Sequence, residues 1–303
     1  MNSIKTSEKR RDREIGGVTI SSWIILFVLA LTWGSSYILI KKGLVSFTPQ
    51  QVACVRMSVT FICFLPFFVF QSRNVDWSKW KHLAVVGFIG SFFPALLFST
   101  AQTKISSSLT GVLSSLTPLA TLLLGVLFFK VKSTWTKIIG VLMGLAGAVW
   151  LLWMDKDGGS WSGFQFGLLV VLACLFYGIS TNVIKSRLSG LPSLTISAVA
   201  YTMVGIPAIG FLAGSGFFRV FTEDSQAWTS FGYLCMLAIF GTVIGSLFYF
   251  KLIKNTSALF ASTVSYLTPI IAILLGGLDG EAITWSHFAG MVMILSGVYV
   301  ASR

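Results

Sequence analysis

Ten carboxylates, two histidines and four cysteines are the groups in this 303-residue chain able to carry acid–base, metal or nucleophilic chemistry. Their places exclude most of it. Glu8, Asp12, Glu14, Asp76, Asp155, Asp157, Glu223, Asp224, Asp279 and Glu281 all fall in the N-terminal tail or in polar connections between apolar runs. His82 and His287 stand far apart, each without a second histidine or a glutamate at ligand spacing. Cys54, Cys63, Cys174 and Cys235 lie inside apolar stretches and read as small buried hydrophobes rather than disulfides or zinc ligands. Intramembrane proteolysis and metal catalysis are unsupported, no enzyme activity is expected, and neither a metal nor a cofactor is expected.

Two charges keep a functional reading. Arg56 is the one charge well inside an apolar run, Lys137 standing at the very start of the fifth. A guanidinium at a helix centre in hydrocarbon costs about 2.5–3.5 kcal/mol on insertion scales. Arg56 lies only about six residues, near 9 Å, from the outer end of its run. It either snorkels to that end or recognises a carboxylate or phosphate through its bidentate fork. Proton-coupled carriers commonly relay protons through a carboxylate or histidine at membrane depth. This chain has none there, which favours facilitated diffusion or exchange. Glu281, near the end of the ninth run, is the one candidate for coupling; its alternative is a solvated loop carboxylate.

The remaining chemistry is that of binding. Hydroxyl, amide and aromatic side chains gather in four runs: Trp33, Ser36 and Tyr37 in the first, Ser114 and Thr117 in the fourth, Tyr177, Thr181 and Asn182 in the sixth, Ser265 and Tyr266 in the ninth. These are the candidate substrate contacts. Individually, such residues also serve close helix packing. Pro118 and Pro269 are expected to kink the fourth and ninth runs, because proline takes the amide hydrogen from the carbonyl four residues earlier. Those carbonyls belong to Ser114 and Ser265. In hydrocarbon each must be met by water, ligand or a hydroxyl such as Ser115, Thr117 or Thr268, so both serines are expected to face a central cavity.

The elements that must position these residues follow from composition. Only 11% of residues are charged, against roughly 25% in soluble domains, and the mean hydropathy is +0.84. Most of the surface must meet lipid. Ten apolar runs span 22–40, 50–70, 83–101, 106–129, 134–153, 164–184, 193–213, 230–250, 256–277 and 284–301. With the N-terminus inside, sixteen Lys and Arg fall on the inner side and five on the outer. The positive-inside rule then places both termini in the cytoplasm of a multi-pass protein of the cytoplasmic membrane. The basic charge is spread over short loops, so nucleic acid is not an expected partner. The expected partners are a small-molecule substrate and the bilayer, with the chain a monomer or weak dimer.

The chain also repeats itself. Trp135, Gly140, Met143, Leu145 and Gly147 in the fifth run fall on Trp285, Gly290, Met293, Leu295 and Gly297 in the tenth. Leu116-Thr117-Pro118 falls on Leu267-Thr268-Pro269, Gly125 on Gly276, and Trp33-Gly34 on Tyr177-Gly178. Five spans per repeat is an odd number, so the second copy enters the membrane inverted, an arrangement used by secondary transporters. The fifth and tenth runs, with glycines at packing spacing, read as scaffold.

Leu31-Thr32-Trp33-Gly34-Ser35-Ser36, the arginine of the second run, the serine-rich fourth run ending in Leu-Thr-Pro and the five-plus-five repeat resemble the EamA family of the drug/metabolite transporter superfamily. The resemblance implies an all-α membrane fold of ten helices around a central substrate cavity, and export of amino acids, related metabolites or drugs. It departs at one place: Lys130 stands after Gly125 where Glu281 stands after Gly276. The expected organisation is a basic cytoplasmic segment (1–21), a first repeat (22–153), a connecting loop (154–163) and a second repeat (164–303). The expected function is carriage of a small amphipathic, amino acid-like or drug-like metabolite by alternating access. The alternative is a channel-like or non-transporting membrane protein of the same fold.

Overall fold

The backbone of an apolar run can satisfy its own hydrogen bonds in hydrocarbon only along a helix or in a closed barrel, and each run that the structure covers is helical. The computed structural model describes residues 14–15, 18–71, 75–131, 134–154, 161–255 and 264–302. The tail up to residue 13, most of the connecting loop (155–160) and Ser262 and Thr263 of the ninth run lie outside the described residues. A two-residue antiparallel pair, β1 (Glu14–Ile15) and β2 (Val18–Thr19), precedes the helices, with Glu14 opposite Thr19. Then come α1 (Ile20–Gly43) and α2 (Pro49–Gln71). The third run joins α3 (Trp80–Gly87), a π-helical turn (Phe88–Phe92) and α4 (Phe93–Ala101). The fourth is two helices, α5 (Ser107–Ser114) and α6 (Thr117–Phe128). There follow α7 (Trp135–Met154), α8 (Trp161–Arg187), α9 (Ser193–Gly214) and the short α10 (Phe217–Glu223). The eighth run joins α11 (Ala227–Met236), a π-helical segment (Leu237–Ile244) and α12 (Gly245–Asn255). The chain closes with α13 (Val264–Leu278) and α14 (Trp285–Ser302).

Eight of these stretches are long and apolar enough to cross a membrane; α13 and α14 are shorter apolar helices among the described residues. Connections sort to two ends. Those after the first, third, seventh and ninth runs meet at one end: Lys41 reaches Asp279 and Glu281, Glu281 reaches Ser107, and Gln51 donates to the Ser215 carbonyl. At the other end, Val75 and Leu83 pack with Leu188 and Ile196.

Small residues set the close crossings. A Cβ on Gly140 would lie 2.5 Å from the Gly297 carbonyl oxygen, and one on Gly297 would lie 2.6 Å from that of Gly140. α7 and α14 therefore touch backbone to backbone, which dispersion and packing favour where lipid offers no hydrophobic drive. The outer faces of the same helices carry Leu142, Trp153, Trp285 and Val292, all exposed, as lipid contact requires. The core between the halves is held by Met57, Phe64, Leu109, Leu113, Leu116, Leu151 and Leu237. Gly297→Ala is expected to destabilise the fold by about 1–3 kcal/mol through overpacking. Gly210→Ala, where a Cβ meets nothing within 4 Å, is expected to be neutral or stabilising by up to about 1 kcal/mol. Thermal unfolding of the purified variants followed by size-exclusion chromatography checks both.

Candidate functional site

Proline 118 acts differently from a kink. It stands in the first turn of α6, where its missing amide hydrogen is no loss, and the fourth run breaks at Ser115 and Leu116. The expected free carbonyl of Ser114 is met by the Thr117 hydroxyl at 2.8 Å. Pro269 does lie inside α13, but Thr268 there donates to Val264 rather than to Ser265. The two prolines thus sit at matching sequence places in unlike helices. Ser114 is buried, donating to the Gly111 carbonyl at 2.7 Å, while Ser265 and Tyr266 are half-buried.

The candidate residues of the first, fourth and sixth runs separate into two groups. Tyr37, Phe98 and Tyr177 form an aromatic row with centroids 5.8 and 6.0 Å apart, and Ser114 adjoins Tyr37. Arg56 lies within electrostatic reach of Tyr37, Tyr177 and Tyr201. This is the polar centre of the bundle. The others serve as ties. Asn182 donates to the Thr121 and Gly178 carbonyls, both at 2.9 Å, clamping α8 to α6. Ser36 donates to its own helix at Thr32. The Trp33 indole donates to the Gly241 carbonyl at 3.0 Å, and Gly245 leaves room for the ring. Thr181 is half-buried on α8.

Three residues missing from the sequence-based set belong to this centre: Ser91, Tyr201 and Thr242. Arg56 Nε donates to Thr242 Oγ1 at 2.9 Å, and the Ser91 hydroxyl reaches that of Tyr201 at 3.5 Å. Ser91 and Thr242 each follow a glycine, Gly90 and Gly241, and each sits in a π-helical turn. A Cβ on Gly90 would collide with Ser180, and one on Gly241 would crowd Ser36; Ser180 and Ser36 occupy matching places, each two residues beyond the glycine of Tyr177-Gly178 or Trp33-Gly34. The repeated Gly-Ser and Gly-Thr pairs are the signal in the sequence that marks them. π-turns are frequent at functional sites because they reorient side chains without ending the helix.

Glu281 stands apart from this centre, at the end shared by α1, α5 and α13. Its side chain is only 6% exposed, so it is no solvated loop carboxylate. Oε1 accepts from the Ser107 amide and hydroxyl at 2.9 and 2.8 Å and from Lys41 Nζ at 3.0 Å; Oε2 accepts from the Ser108 amide and hydroxyl at 2.9 and 2.6 Å. The carboxylate caps the positive end of α5 from another part of the chain. Asp279 bridges Lys41 at 2.8 Å and also pairs with Lys42. Gly280, at φ +84°, reverses the chain so that the Glu281 amide bonds the Gly276 carbonyl at 2.9 Å, and a Cβ on Gly276 would strike Ser108. In the first half, Lys130 adopts the left-handed conformation (φ +56°) and Val131 bonds the Gly125 carbonyl. Val131, not Lys130, is thus the spatial counterpart of Glu281, because that turn is one residue longer.

Burial raises the Glu281 pKa, but the Ser108 hydroxyl and amide, Lys41 and the Ser107 amide outweigh it and hold the carboxyl at about 2. Lys41 and Lys42 likewise hold Asp279 below its usual range. Glu281 is therefore ionised across pH 5–8 in this conformation and carries no proton there. An apolar surface groove of about 760 Å³, lined by Trp150, Met154, Trp285, Phe288 and Val292, runs between α7 and α14. It shares no residue with the polar centre.

The model of the EamA-like transporter family matches the chain twice, over residues 21–153 and 166–303. An "uncharacterized transporter" of Archaeoglobus fulgidus is 25% identical over 94% of this chain and 99% of its own length. The inner membrane transporter YedA of Escherichia coli is 26% identical over 91% of this chain and 89% of its own, and the transporter YdfC of Bacillus subtilis 29% over 88% and 86%. One solved crystal structure, 18% identical, superposes with a TM-score of 0.59 over 93% of this chain and 96% of that one, and shares the fold.

A carboxylate whose pKa is depressed on folding stabilises fully above its unfolded pKa, about 4.3, and loses that contribution as pH falls through the folded value. Thermal stability in detergent is expected to drop between roughly pH 4.5 and 2. Glu281→Gln, which removes the charge from five donors, is expected to lower stability by about 1–3 kcal/mol at pH 7 and to flatten the acid limb. An unchanged limb would remove Glu281 from the clasp.

Proposed function

Because the chain belongs to the EamA-like transporter family, we propose that it carries a small metabolite across the cytoplasmic membrane by alternating access, through two inverted repeats of five spans. The observation that supports this best is an exchange symmetry in the packing. Gly34 of α1 lies against Thr268 and Ile271 of α13, and Gly178 of α8 lies against Ala120 and Thr121 of α6. Trp33-Gly34 matches Tyr177-Gly178 and Leu-Thr-Pro matches Leu-Thr-Pro, so swapping the two halves reproduces the contact. The same swap takes Gly90 on Ser180 to Gly241 on Ser36, and takes the α7–α14 crossing onto itself. Two similar packings related in this way can exchange, closing one end as the other opens.

The clasp of Lys41, Lys42, Asp279 and Glu281 binds the end that the charge count places outside. The matching turn of the first half carries Val131 instead, so the two ends differ in how firmly they hold. We read this conformation as closed outside, with both termini in the cytoplasm and the hydroxyl and aromatic residues around Tyr37, Ser114 and Tyr177 as the place of passage. Neutral hydroxyls and rings suit an amphipathic solute.

A carrier of this kind shows saturable counterflow in proteoliposomes, whereas a pore shows flux without counterflow. Loading with metabolites that rescue sensitive overexpressing cells supplies the solutes to test. Trp33→Ala, which frees the Gly241 carbonyl, is expected to depress counterflow far more than membrane abundance; equal losses would make the indole a packing group only. Reporter fusions after Arg303 and within 73–81 are expected in the cytoplasm, and fusions within 155–160 outside. An external C-terminus would end the inverted-repeat reading.

A further inference from the structure

We propose that Arg56 is the oxyanion-binding residue of this carrier, and that the solute is a small organic anion with an apolar body, held through a carboxylate or phosphate group. The inference rests on the carrier reading and adds the chemistry of its cargo. Arg56 lies seven residues into α2, about 10 Å along the helix, between the fully buried Val55 and Met57. A snorkelling arginine reaches along its own helix to the interface. Arg56 instead reaches across to Thr242, in the middle of the eighth run.

That bond uses Nε alone. Guanidinium has five N–H donors, and among the described residues the two Nη groups donate to no protein acceptor and no carboxylate pairs with them. The ion pairs of the described residues lie elsewhere, on Lys41 and Lys42, on Lys79 and on Arg219. A charge at membrane depth faces the bundle interior and requires a partner. The side chains of Thr242, which accepts from it, and of Tyr37, Tyr177 and Tyr201, within its electrostatic reach, are neutral and balance none of its charge.

The repeat supplies the control. Ser91 matches Thr242, and Tyr201 meets Ser91 where Arg56 meets Thr242. A neutral tyrosine completes the helix-to-helix tie in the second half, so the tie itself does not call for a cation. What the guanidinium adds is charge and a planar fork, the geometry that binds carboxylate and phosphate bidentately. The row Tyr37, Phe98 and Tyr177, whose two tyrosines lie within electrostatic reach of Arg56, offers aromatic faces to the apolar part of the same solute.

The test uses the purified full chain in detergent and binding followed by tryptophan fluorescence, with probes in charge-paired sets: phenylacetate against phenylacetamide, and phenyl phosphate against phenol. At least one oxyanion is expected to bind tenfold or more tightly than its neutral twin, and the pair showing the preference identifies carboxylate or phosphate. Arg56→Gln, checked for a monodisperse elution profile, is expected to abolish the preference. Arg56→Lys is expected to keep a preference for the anion at about tenfold lower affinity, since the charge remains and the fork is lost. Equal binding of both twins, no oxyanion binding by the wild type, a preference retained in folded Arg56→Gln, or unaltered oxyanion affinity in Arg56→Lys would each overturn the proposal. Counterflow of the same probes in proteoliposomes separates the two readings. Arg56-dependent binding without counterflow removes the carrier reading and leaves the anion site, whereas counterflow of neutral twins alone removes the anion site and leaves the carrier.

Discussion

A backbone group left without a partner in hydrocarbon costs several kcal/mol, and three interruptions of helix among the described residues are arranged around that penalty. α5 begins inside the fold, and its free amides at Ser107 and Ser108 are met by the carboxylate of Glu281, from a turn more than 170 residues later. The fourth run breaks before Pro118, and the carbonyl of Ser114 is met by Thr117. The eighth run widens into a π-helical segment, and the carbonyl of Gly241 is met by the indole of Trp33 on α1.

Two of these three repairs join one segment to another, so the interruptions also act as fasteners. α1 is fixed to the eighth run through Trp33 and to α13 through Lys41 and Gly34. A segment tied in this way moves with its partners or leaves a polar group bare.

The halves match in backbone and differ in charge. Thr242 and Ser91 stand in equivalent π-turns, one facing a guanidinium and the other a phenol. Gly276 and Gly125 precede equivalent reversals, one presenting Glu281 and the other Val131. The repeat supplies matched backbone geometry, and the substitutions within it place the ion-paired clasp in one of two equivalent turns and a guanidinium against one of two equivalent π-turns.

Membrane residence, the apolar runs, the repeat and the close helix packing at Gly140, Gly147, Gly290 and Gly297 were legible in the residues alone. Each depends on a local property, the length and hydropathy of one run or the spacing of small residues along one helix face, which hydrocarbon reads directly. Arg56 also stood out, because a charge in an apolar run needs no partner to be noticed. The direction in which it reaches, the burial of Glu281, the break at Ser115 and the tyrosine and threonine of the polar centre were decided by tertiary structure. Glu281 lies 240 residues from Lys41, and Arg56 lies 186 from Thr242. An acidic residue after a Gly-Gly-Leu-Asp-Gly turn looks the same in sequence whether water or a helix terminus receives it, and only the packing of α1, α5 and α13 at one end of the bundle removes the water.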